Sequence, residues 1–244
     1  MMRTSNPALN DKVFAFDVPA ARTMTLQGTV NKTFILLVLA IGGAALSWQL
    51  PTIAPALTMP AIFGGMIVGL ITSIIIIFKQ TSAPFLAPVY ALAEGLFLGA
   101  ISVFMEAMYP GIVLPAVCLT FGIAGSLLAA YTSGIIKATE NFKLGIVAAT
   151  GGIFVVYLIS MVLRFMGMEI PFIHGAGPIG IGFSLFVVVI AALNLVLDFD
   201  FIERGVESQA PKYMEWYGAF GLMVTLVWLY LEILRLLAKL QGRD

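Results

Sequence analysis

Residues 62–78 read Ile-Phe-Gly-Gly-Met-Ile-Val-Gly-Leu-Ile-Thr-Ser-Ile-Ile-Ile-Ile-Phe, with Thr72 and Ser73 the only polar side chains. A helix needs about 20 mostly apolar residues to cross the hydrocarbon core of a bilayer, and with Pro60 and Ala61 this stretch is long enough. A membrane β-strand would alternate over segments of about 10 residues, whereas Ile74 to Ile77 is an unbroken apolar run. Lipid offers the backbone no hydrogen bonds, so a helix is the remaining solution. Six further stretches behave the same way, at 33–50, 86–108, 111–136, 144–166, 177–199 and 213–238. The expected fold is therefore an all-α integral membrane protein, a bundle of seven transmembrane helices.

The whole chain agrees with that reading. Of its 244 residues 60% are apolar and 11% charged, against roughly 25% charged in soluble domains. Mean hydropathy is +1.02. Thirteen basic and thirteen acidic residues cancel, leaving no basic field for a nucleic-acid partner. One cysteine, Cys118, excludes an internal disulfide, and with the single histidine, His174, gives no zinc or haem ligand set. No cofactor is expected.

Two units follow, a polar tail over 1–32 and one transmembrane domain over 33–244. The tail carries Arg3, Lys12, Arg22 and Lys32 and lacks the early apolar core of a signal peptide. With the N-terminus in the cytoplasm, inner segments carry nine basic residues and outer ones four, which fits the positive-inside rule. The basic C-terminal tail opposes it, but Trp216 through Leu237 is long enough to span. A bacterial inner membrane is the expected location. No inverted repeat is visible. Gly65-xxx-Gly69 and Gly95-xxx-Gly99 have the spacing of close helix packing.

Catalytic motifs fail on inspection, so the chain is not expected to be an enzyme. Gly175, Gly177 and Gly180 form a GxGxxG outside any βαβ unit. Gly182-Phe183-Ser184 resembles an intramembrane protease nucleophile, yet the only histidine precedes it. Asp198 lacks the Gly-x-Gly of aspartyl intramembrane proteases. Asn31-Lys32-Thr33 is a sequon placed on the inner side.

Acidic residues at membrane depth are the functional candidates, because each costs roughly 2.5–3.5 kcal/mol to insert. They are Glu94, Asp198, Asp200, Glu215 and Glu232. Glu106 and Glu203 sit at span ends, where water is close. Glu94 lies about 15 Å into its helix, with no basic residue in the second span to pair with it. Asp198 shares a face with Asn194, four residues earlier, so Glu94 and Asn194 are assigned to an ion pathway. Two carboxylates that meet in a membrane cannot both ionise and titrate as a unit; such a pair is a pH latch. Glu232 has Arg235 three residues on, a helical salt bridge in its plainest reading.

The stretches Asn194-Leu-Val-Leu-Asp198-Phe-Asp200-Phe-Ile-Glu203 and Ala91-Leu-Ala-Glu94-Gly95-Leu-Phe-Leu-Gly99 resemble, in turn, the sixth-helix signature and the third helix of the Bax inhibitor family, the transmembrane Bax inhibitor motif proteins. Glu215-Trp216-Tyr217 and Trp228-Leu-Tyr-Leu-Glu232-Ile-Leu-Arg235 are similar to its last helix. The likeness is closest to the bacterial, YccA-like branch. It implies a bundle with the C-terminal helix central, and a pH-sensitive calcium leak gated by an acidic pair between the sixth and seventh helices. It also implies a role in stress responses, with a membrane protease as partner in bacteria.

The resemblance places Asp198 in the pair. The Leu-Tyr-Leu-acid pattern points to Glu232 as its partner. Antiparallel geometry points to Glu215, since Glu232 lies about 25 Å further along the helix. Asp198 with Glu215 is the preferred gate, with Asp200 adding a carboxylate, and calcium is expected at Asp198 and Glu215. The basic residue that some relatives carry in the second helix has no counterpart between Pro60 and Phe78. The expected function is a pH-sensitive calcium leak. The alternative is a non-conducting regulator that binds a membrane protease or stress-response partner through its N-terminal tail.

Overall fold

The structure, a computed structural model, describes residues 23–167 and 175–242. His174 and most of the polar tail lie outside these residues. Among the described residues seven α-helices follow one another: α1 Leu26–Ile53, α2 Thr58–Phe78, α3 Ala83–Met108, α4 Val113–Thr132, α5 Glu140–Phe165, α6 Pro178–Glu207 and α7 Met214–Gln241. Short 3-10 turns at Pro55–Leu57 and Gln80–Ser82 lead into α2 and α3. All seven have the length and hydropathy of a membrane span.

The helix ends explain where hydropathy alone misplaces boundaries. α1 begins at Leu26, so residues 26–32 belong to the first helix rather than to the tail. Thr25 is its N-cap: the Gly28 N–H donates to the Thr25 hydroxyl at 3.0 Å. Pro51 lies within the last turn of α1 rather than ending it. α6 runs two turns beyond Phe199 and stops where Gln209 takes a left-handed φ of 54°. The α3–α4 turn closes on Gly111, also left-handed (φ 84°). There the Glu106 carboxylate accepts the N–H groups of Gly111 at 2.6 Å and Val113 at 3.1 Å, so this acid ties off a turn.

α1, α2 and α3 form one tight layer, and the glycines make it possible. A Cβ on Gly95 would stand 2.2 Å from the Ala40 carbonyl oxygen, and one on Gly99 2.4 Å from that of Ala44. One on Gly65 would stand 2.6 Å from the Ala93 carbonyl oxygen. Both small-residue motifs therefore serve close helix packing. Backbone cannot yield as a side chain tip can, so Gly95→Val is expected to cost about 3 kcal/mol. The check is a thermal melt in detergent, with a midpoint lowered by about 6–12 °C.

α7 is the most buried of the seven helices. It packs against α1, α3, α4 and α6, and its residues run through two apolar clusters, one around Tyr217, Phe220 and Met223 and one around Leu229, Ile233 and Leu234. α5 lies outermost on α6. The odd-numbered helices run one way and the even-numbered ones return. Lys32, Lys143, Asp200, Glu203 and Glu215 thus lie at a first face, and Lys239 and Gln241 at the second, where they reach Gly180 and Pro110.

Candidate functional site

The site begins with a spacing on α5. Lys143, Thr150 and Tyr157 recur every seven residues, and Ile146, Ile153 and Ser160 interleave with them. Positions three and four apart share a helix face, so these six residues form one stripe. Lys143, Ile146, Ile153 and Ser160 are the buried residues of this otherwise lipid-facing helix. Lys143, Thr150 and Tyr157 each meet a polar group across the seam. The Lys143 ammonium lies 3.0 Å from Asp200 Oδ2 on α6. Asn194 Nδ2 donates to the Thr150 hydroxyl at 2.9 Å and to the Ile190 carbonyl at 2.8 Å. The Tyr157 hydroxyl donates to both oxygens of Glu232 on α7, at 3.0 Å each.

Glu232 is itself buried and bridged to Arg235 at 3.1 Å. Arg235 Nη1 also donates to the Tyr157 hydroxyl at 2.6 Å, and its guanidinium stands 5.1 Å over the Tyr157 ring. At the first face, Arg204 shares Asp200 with Lys143. Beside it, the Tyr131 hydroxyl of α4 donates to Glu203. Asp198 is fully buried, one turn beyond Asn194.

Polar groups therefore occupy two depths of the seam, Asp200–Asp198–Asn194–Thr150 towards the first face and Glu232–Tyr157–Arg235 towards the second. Between them lies an apolar section around Ile153 and Ile190, with Leu193 and Trp228 packed against it. Gly218 opposes Ile202 across α6 and α7, so Glu232 is level with residue 188. The apolar section is thus about 9 Å long at 1.5 Å per residue.

The same register decides the acidic pairing. Asp198 is level with residue 222, about 10 Å along the axis from Glu215 and about 15 Å from Glu232. The structure brings Asp198 together with neither. α6 continues to Glu207, which places Asp198 nine residues deep rather than at the helix end.

Glu215 has other partners. Its Oε1 accepts the Thr25 N–H at 3.0 Å, the Thr25 hydroxyl at 2.8 Å and the Lys212 ammonium at 2.6 Å. Its Oε2 lies 2.9 Å from the Lys32 ammonium. Gly28 sits directly over the carboxylate, where a Cβ would fall 1.9 Å from Oε1. This clasp joins the start of α1 to the start of α7, and the Met24 N–H extends it to the Ala210 carbonyl at 2.6 Å.

Glu94 is half-buried and faces α2 at Gly69, outside the seam. Among the described residues no three carboxylates, imidazoles or thiols gather for a metal, and Asp198 and Glu215 do not converge on one point. A lateral groove of about 390 Å³ between α1, α3, α4 and α7 is almost wholly apolar, and holds no acid.

Sequence reasoning missed Lys143, Thr150, Tyr157 and the Thr25–Lys32–Lys212 clasp. The seven-residue spacing on α5 was the available signal for the first three. The clasp, made across 190 residues, left none.

A family model described as Bax inhibitor 1 like matches residues 6–242. The chain belongs to the Bax inhibitor 1-like family. The match covers every helix, so this family member is an integral membrane protein throughout α1 to α7. Comparison with curated proteins and with solved structures finds no match.

Proposed function

We propose that this Bax inhibitor 1-like protein is a gated cation leak, that calcium is the ion, and that the path follows the α5–α6–α7 seam. The observation that supports this reading is the pair of buried polar stations separated by an apolar section. Hard cations take oxygen ligands, and Asp200, Asp198, Asn194 and Thr150 supply them from the first face. An apolar constriction that excludes water is a common gate. In this reading the seam is closed where Ile153 and Ile190 pack together.

α5 is the element that moves in this reading, because three polar contacts and a narrow apolar strip seat it while the rest faces lipid. Protonation of a seam acid weakens its contact with α5 and favours release, which makes the leak sensitive to pH. The protein sits in a bacterial inner membrane with its first face in the cytoplasm, following the distribution of basic residues. Asp198 is the sensor proposed for the first station, and Glu232, bridged to Arg235, is the carboxylate of the second.

The test is calcium flux into liposomes holding the full-length protein, across pH 6 to 8. Asp198→Asn fixes this position in its uncharged form and is expected to raise flux at pH 8 and flatten its pH dependence. Unchanged flux with an unchanged pH profile in a folded variant sinks the assignment.

A further inference from the structure

At the first face the seam is headed by a cation that belongs to the protein. Lys143 is the fourth residue of α5, one turn from the end of its helix. A lysine so placed ordinarily snorkels to water. Here its side chain is only 5% exposed and its ammonium turns inward, 3.0 Å from Asp200 Oδ2 and 3.2 Å from Glu140 Oε1. These are the carboxylate oxygens that an entering cation meets first. Asp198 lies deeper on the same helix. Arg204 contacts Asp200 from one turn nearer the face, and Glu203 is engaged by Tyr131 on the α4 side.

We propose that Lys143 is the charge filter of the seam, a tethered ammonium standing where a permeating cation would be held. The inference rests on the conduction reading above. A metal ion enters only when this ammonium withdraws, and the withdrawal is part of the movement of α5. The side chain thereby sets both the closed state and the resistance to cations. Glu140 and Asp200 supply the oxygens that hold the ammonium, and hold the metal ion in its place once it leaves. Arg204 contacts the same Asp200 Oδ2 and stays in place in the Lys143 variants, so it is common to parent and variants.

The experiment uses full-length protein in liposomes carrying a calcium dye, with K143M, K143Q and K143R. A single like charge at the entrance of a narrow cleft changes local ion concentration by about tenfold or more. K143M and K143Q are therefore expected to raise calcium flux about tenfold, and K143R to stay within twofold of the parent. K143Q keeps the test open if K143M does not fold. If the parent conducts and the folded neutral variants match it, the filter is overturned and conduction stands.

If the parent and every variant conduct nothing, the conduction reading falls, and Lys143 is judged by binding. Millimolar calcium is then expected to raise the melting temperature of K143M in detergent by several degrees, and not that of the parent or of K143M/D200N. The absence of that rise overturns the assignment of the ammonium to a cation position.

Discussion

Replacing Ile190 with asparagine is expected to raise cation flux about a hundredfold, because it wets the driest part of the seam. Ile190 belongs to a buried cluster with Ile153, Val187 and Leu197 and itself lies between the two polar stations. Its carbonyl already accepts from Asn194, one turn on, so a second amide at 190 has polar neighbours within reach. That proximity limits the cost of burying it to about 1–3 kcal/mol. Flux into liposomes at fixed pH is the measurement. The control is Val189→Asn, one residue earlier on a side chain that is 47% exposed to the surroundings of the bundle. Val189→Asn is expected to leave flux unaltered. Equal behaviour of the two variants would place the path elsewhere.

The second large effect falls on stability. Glu215→Ala removes one fully buried carboxylate and with it the partners of Thr25, Lys32 and Lys212. Breaking a buried ion pair from one side costs about 3–5 kcal/mol. Lys32 and Lys212 retain access to water, with side chains 23% and 46% exposed, which sets the expected loss near the lower figure, about 3 kcal/mol. The melting temperature in detergent should fall by about 6–12 °C. Glu215→Gln keeps the two Thr25 hydrogen bonds and is expected to lose about half as much. A variant as stable as the parent would mean that the clasp forms without holding α1 to α7.

Hydropathy revealed the seven helices and the membrane, because an apolar run of span length has one solution in lipid. The glycine spacings were equally legible, since Gly65, Gly95 and Gly99 announce a close approach whatever the partner is. The contact between Glu232 and Arg235 follows from the sequence for a similar reason: three residues on a helix are neighbours by geometry alone. The pairing of acids did not follow. It depends on where α6 ends, and Phe201, Ile202 and Val206 keep that helix packed below an end set by Gln209 and Ala210, far from any apolar boundary. A shift of two turns there moves Asp198 about 10 Å relative to Glu215. The stripe of Lys143, Thr150 and Tyr157 was written in the sequence, but its partners were not. Matching residue 150 to 194 and 157 to 232 requires the register between helices, which packing alone decides.

The clasp at Glu215 also orders events in time. Thr25 and Glu215 stand 190 residues apart, and a ribosome adding about 5–20 residues per second needs about 10–40 s to travel between them. Throughout that interval the opening turn of the earliest helix, with its lysine, waits in the nascent chain without its acidic counterpart. Only synthesis of α7 supplies it. A polypeptide in which α7 is missing or fails to insert leaves the start of α1 without these bonds. The tie between α1 and α7 is therefore a late event, closed only after α7 has been made and inserted.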